Sequence, residues 1–187
     1  IMAREVRSLS DYKALADVNI SNLLKSIVKK LNSEYCHEIS NNQLELVTKD
    51  IPEDLFLIKG SYHLIAKAFF LIIKHRAEAL LTEDNKGKAL TITAKNLDED
   101  NKKGVQIDIE DNGSEINEEL QKSIFHVQKT GDGLWKAQGY IEKIGGNIAV
   151  ESGKSGSTFR VSVPFGDGGN PSPLGEAKFI LCRYATL

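Results

Sequence analysis

Cysteine is almost missing: the 187-residue chain holds two, Cys36 and Cys182. Two so far apart build neither a disulfide framework nor a zinc site, and they fit a reducing, intracellular setting. Long apolar runs are missing too. No stretch reaches the 18 residues a membrane span needs, so no membrane insertion is expected of this fragment. A signal peptide is not expected, because Ile1-Met2-Ala3-Arg4-Glu5 is charged where its apolar core would sit. The opening isoleucine points to a piece of a longer chain. Charge of one sign is also lacking, with 24 Lys+Arg against 26 Asp+Glu and a net charge of −2. That excludes a strongly basic nucleic-acid binder, so no nucleic-acid partner is expected. Glycine is scarce in one half only. Thirteen of the fifteen glycines lie from Gly104 onward, and residues before it hold only Gly60 and Gly87. Glycine serves positive φ and close ligand approach, so a binding site is sought first in the second half.

What is present suits one domain with a substantial core, at 41% hydrophobic residues. Met2, Val6, Leu9 and Ala16 recur at a spacing near seven, which predicts a helix over 1–17 with a seam for a partner helix. A second helix is predicted over 18–35, capped by Asn19 or Ser21, with Leu23, Leu24, Ile27, Val28 and Leu31 on one face. Gln43–Thr48 alternates like a half-buried strand, and Leu55–Ile58 reads as a second short one. Gly60-Ser61 opens an apolar helix over 62–81. Ala89–Ala94 and Val105–Ile109 read as strands around a charged hairpin loop, Asn96–Gly104. A helix through Phe125 and another at about 134–144 follow, the latter ended by Gly145-Gly146. Ile148–Glu151 and Thr158–Pro164 form a closing hairpin. Residues 166–187 read as a linker and a short C-terminal strand. The order predicts an α+β fold, an α/β sandwich: a mixed, mostly antiparallel sheet with helices packed on one face.

Three segments place polar or glycine residues where a ligand could bind. Strand Val105–Ile109 runs into Asp111-Asn112-Gly113, which sets a carboxylate at a tight turn and lets a flat ring approach. Taken alone it is also a common turn. Gly131-Asp132-Gly133-Leu134 opens a helix, where backbone N–H groups form a phosphate cradle. The stretch Gly145–Pro164 is by itself only a hairpin.

Together, in this order and spacing, they resemble the catalytic, ATP-binding domain of sensor histidine kinases, in the wider family that includes gyrase, Hsp90 and MutL. The resemblance runs from about Val18 to Pro164. Asp111-Asn112-Gly113 stands as the G1 box, Ile124-Phe125 as the F box and Gly131-Asp132-Gly133-Leu134 as the G2 box. Gly145, Gly146, Ile148, Val150, Ser152, Gly156, Thr158, Phe159 and Pro164 match the closing hairpin. The resemblance implies ATP in a cleft between the long helix and the G2 loop. Asp111 would hold the adenine amine. Gly113, Ile116, Lys129, Thr130, Gly131, Gly133, Leu134, Lys74 and Thr158 complete the implied nucleotide site.

The departures lie on the metal and phosphate side. Against the N box pattern N-x-x-x-N-A-x-x-A the chain reads Leu71-Ile72-Ile73-Lys74-His75-Arg76-Ala77-Glu78-Ala79. His75 stands where the family's asparagine helps hold Mg²⁺, and imidazole is a poor substitute for a hard oxygen ligand. Glu115 and Lys129 replace glycines of G1 and G2, and five residues between Phe125 and Gly131 leave almost no ATP lid. Lys74, Arg76 and Lys129 could offset phosphate charge, and Lys74 and Arg76 read equally well as a solvated helix face. His37-Glu38-Ile39 looks like a phosphoacceptor site but follows the domain's first helix. The phosphoacceptor histidine is therefore expected upstream of Ile1, with 1–17 as the end of a dimerisation helix and 18–165 as the ATP-binding domain. The implied function is transfer of the ATP γ-phosphoryl to that histidine, within a cytoplasmic module whose full-length protein leaves a membrane tether open. Implied partners are nucleotide, the upstream dimerisation domain, a response regulator and a second copy in a homodimer. The alternative is a catalytically impaired pseudokinase serving as a signalling scaffold or phosphotransfer partner. A serine kinase acting on anti-anti-sigma partners is a third reading, disfavoured by the dimerisation-helix tail.

Overall fold

The computed structural model describes residues 16–83, 86–99, 102–125 and 133–165. Ala16–Val18 forms β1, followed by helix α1, Ile20–Glu34. Asn19 caps α1, its side chain accepting from the Asn22 amide at 2.9 Å, which satisfies one of the orphan donors of the first turn. Of the helix predicted over 1–17, only Ala16 and Asp17 are described, and both are strand. His37 lies on the short helix α2, Cys36–Ser40, and β2 follows at Leu44–Thr48. The second short strand comes later than the apolar run suggested: β3 is Ile58–Gly60, paired antiparallel with β1. Val18 and Ile58 are register partners and both are buried, so this small ribbon closes one side of the core.

Helix α3 spans Tyr62–Leu81, as its periodicity predicts. Strands β4, Lys88–Glu99, and β5, Lys102–Asp111, are longer than expected. The charged segment after Asn96 continues the ladder, with Asn96 opposite Val105 and Asp98 opposite Lys103, because backbone pairing does not depend on side-chain polarity. Helix α4, Glu118–Ser123, is capped by Asn117, and α5 spans Leu134–Lys143. The chain closes with β6, Asn147–Gly153, and β7, Gly156–Pro164.

The main sheet has five strands in the order β2-β4-β5-β7-β6, antiparallel except for the parallel pair β2–β4. Alternation assigns its faces. Leu90, Ile92, Val105, Ile107, Ile109, Phe159 and Val161 are buried on the helix side, while Gln106, Asp108, Thr158 and Arg160 line the other. Helices α1, α3 and α5 bury their apolar stripes against that one face. The fold is the expected sandwich, with one addition: β1–β3 stands apart as a two-stranded sheet.

Candidate functional site

The site begins at the end of β5. The alternation carried by Val105, Ile107 and Ile109 continues to Asp111, so that carboxylate points to the helix side although it is charged. Its side chain is fully buried, and a buried charge needs partners. Arg76 Nε donates to Oδ2 at 2.9 Å, and Ser157 Oγ donates to the same oxygen at 2.5 Å. Oδ1 accepts from the Gly113 amide at 2.9 Å. The Arg76 guanidinium lies over the Phe159 ring, 5.2 Å from its centroid, and Phe125 meets that ring edge-on at 6.2 Å.

Glycine makes this crowding possible at two positions. A side chain on Gly156, whose φ is +128°, would bring a Cβ to 1.8 Å from the Asp111 carbonyl oxygen. One on Gly113 would meet Leu80 at 2.7 Å and Asp111 Oδ1 at 3.0 Å. The rest of the turn is tied down by its own side chains. Asn112 Oδ1 accepts from the Ala89 amide at 2.8 Å, and its Nδ2 donates to the Gly87 carbonyl at 3.0 Å. Glu83 accepts from the Ser114 amide at 2.8 Å and pairs with Lys88. Burial alone would raise the Glu83 carboxyl, but hydrogen bonds from Lys88 and Ser114 carry it below its ordinary value.

Next to this ion pair on α3, His75 is pushed down to about 4, first by burial and then by the Arg76 charge. Its ring is neutral at pH 7, and its buried Nδ1 has no hydrogen-bond partner among the described residues.

The pattern from residue 59 to residue 167 matches the sequence model of the histidine kinase-, DNA gyrase B- and HSP90-like ATPases. The chain belongs to that family. Among solved structures it is similar to the catalytic domain of histidine kinase ThkA, with a TM-score of 0.65 and 19% identity over 81% of this chain and 95% of that one. The mycobacterial sensor histidine kinase MprB gives a TM-score of 0.63 at 13% identity, covering 81% of this chain and 97% of that one. Full-length ShkA in complex with AMPPNP gives 0.64 at 21%, over 81% of this chain and 31% of that one. No curated protein matches in a sequence search. This is the fold of histidine kinase catalytic domains.

Within this histidine kinase-like domain the structure brings Asp111, Gly113 and the Arg76–Phe159 stack together and separates other residues of the implied site. Lys74 turns toward α1, paired with Glu34 and, at 3.8 Å, with Glu78. The Glu34 hydrogen bond raises its pKa. Thr158 sits on the opposite face of β7, with Glu110 and Glu151 as register partners. Ile116 is buried, its amide donating to Ser152 Oγ at 2.9 Å. Gly133 precedes α5 as its N-cap, and Leu134 is fully buried beneath it. Lys129, Thr130 and Gly131 lie outside the described residues, as does His126. His37 is on α2, its Nε2 3.0 Å from the exposed Asn41 side chain.

The residues described on α3 fit the metal poorly. His75 offers a neutral nitrogen where a hard oxygen would serve Mg²⁺. Asp111 Oδ2 accepts two hydrogen bonds from the chain and Oδ1 one, so of about four acceptor positions one on Oδ1 stays open. Sequence reasoning missed the role of Arg76, though a signal existed. Buried residues of α3 include Ile72, Ile73, Arg76, Ala77 and Leu80, so Arg76 falls on the apolar stripe, where an arginine requires a carboxylate. Ser157 carried no comparable signal.

Proposed function

We propose that this chain is a histidine kinase-type module of a two-component signalling protein in catalytically impaired form, working as a scaffold or phosphotransfer partner. One observation carries this reading: the carboxylate that would read a nucleobase is held in a buried ion pair by Arg76 of α3 and also accepts from Ser157 and the Gly113 amide. An exocyclic amine there would have to compete with the Arg76 guanidinium for this carboxylate. Its partners in this reading are an upstream dimerisation domain, a response regulator and a second copy of the chain, in the cytoplasm. No helix among the described residues is long and apolar enough to cross a membrane.

The active-kinase reading, γ-phosphoryl transfer to a histidine upstream of residue 1, is favoured by one feature. The family match spans the G1 turn, the F box and the closing hairpin in order. A calorimetric titration with ATP, with and without Mg²⁺, separates the two. The expected result is no saturable binding at millimolar ATP. Micromolar, Mg²⁺-dependent binding that Asp111→Asn abolishes would overturn the impaired reading.

A further inference from the structure

The Arg76 head group is held by the kinds of group that recognise any flat donor. A carboxylate accepts from its Nε, and its central carbon lies over an aromatic ring, 5.2 Å from the centroid. The carboxylate does not depend on Arg76 for its orientation, because Ser157 and the Gly113 amide hold both of its oxygens. Ser157 is itself fixed by the ladder, as the register partner of Asp111. Phe159 is fixed in the core, fully buried and packed nearly perpendicular to Phe125. Withdrawing the arginine side chain would therefore leave a preorganised, buried recess with an acceptor at one wall and a π face at another.

We propose that Arg76 is the resident ligand of a subsite formed by Asp111, Ser157 and Phe159, and the residue that sets what this subsite takes. With Arg76 in place the subsite holds the chain's own guanidinium. Without it, the subsite takes a small flat group with N–H donors along one edge, such as an alkylguanidinium or an aminopurine base. The tethered arginine wins in the native chain for two reasons. It is charged, so its hydrogen bond to the carboxylate outweighs that of a neutral amine. It is also covalently attached to α3, so its effective concentration exceeds that of a soluble competitor. The inference rests on the impaired reading above and extends it by naming the occupant.

The test compares the native chain with Arg76→Ala and with Arg76→Ala/Asp111→Asn, using adenosine and ethylguanidinium as probes. Adenosine carries no phosphate, so it reports on this recess alone. Calorimetry is expected to show no saturable adenosine binding to the native chain at millimolar concentration. In Arg76→Ala the affinity for adenosine rises at least tenfold, and millimolar ethylguanidinium raises the Tm. Both effects disappear in the double variant. If Arg76→Ala does not fold, Arg76→Met keeps the stem and drops the head group, and millimolar guanidinium ion replaces ethylguanidinium as the Tm probe. A folded variant that gains neither adenosine binding nor thermal stabilisation would overturn the inference while leaving the impaired reading standing. So would a gain that survives Asp111→Asn. Micromolar adenosine binding by the native chain would sink both.

Discussion

Arg76 and Asp111 illustrate how a single pair governs this molecule. Their side chains are 6% and 0% exposed, so neither can shed its partner into water. Arg76→Ala strands a buried carboxylate, and the expected cost is ~3–5 kcal/mol of unfolding free energy, read from urea midpoints. Replacing both partners by apolar residues, as in Arg76→Met/Asp111→Leu, should cost less than the sum of the single changes, because no charge is left uncompensated. A double-mutant cycle that came out additive would show that the pair does not act as a unit. His75 supplies the pH dependence. Its folded pKa of about 4 lies below its ordinary value of 6.5, so the unfolded chain binds the extra proton first. Its contribution to stability is complete above pH 6.5 and is lost as pH falls toward 4. Urea midpoints should therefore drop between about pH 7 and about pH 4.5, and His75→Gln should flatten that part of the curve. The lowered Glu83 carboxyl acts in the same direction, but only below the ordinary carboxylate range, so the two are separable by window.

Elements matter through where they stop. The start of β7 and the end of β5 approach so closely that only glycine fits at 156. Gly156→Ala combines a strained φ with a backbone clash, and it should destabilise by more than the ~1 kcal/mol usual for a strained glycine substitution. The same change should loosen Asp111, visible as shifted amide resonances from Glu110 to Gly113. At the other end of the molecule, Asn19→Ala removes the α1 cap and should cost about 1 kcal/mol without touching the site. The extended β4–β5 hairpin shows why element boundaries were harder to read than elements. Asn96, Leu97 and Asp98 lack the apolar alternation of a half-buried strand, yet they pair because their neighbours across the ladder present free backbone groups. Asn96 also has a job that composition does not reveal, accepting from the Phe56 amide at 2.8 Å and so tying the connection before β3 to the sheet.

On the scale of the whole molecule, the central strands carry the stability. Strands β5 and β7 lie in the interior of the five-stranded sheet, and Ile107, Ile109, Phe159 and Val161 on them are fully buried. Phe159→Ala should cost ~3–5 kcal/mol, since it empties the core beside the Arg76 stack. Native-state hydrogen exchange should protect β5 and β7 most strongly and β1–β3 least, because a two-stranded ribbon is marginal by itself. Equal protection across both sheets would contradict this hierarchy.

The amino-acid sequence by itself determined the sandwich. The apolar stripe of α3, the alternation of β5 and the paired glycines after α5 are local patterns, and local geometry converts each directly into an element. The order of the Asp-Asn-Gly turn, the Phe125 segment and the closing hairpin was enough to point to the family. Only the tertiary structure decided what Asp111 does. Its main partner is 35 residues earlier on another element, and Arg76 read locally was as consistent with a solvated helix face or with phosphate charge. Burial settles such a choice. Once α3 and β5 pack face to face, water is excluded, and each charge takes the nearest opposite charge the fold provides.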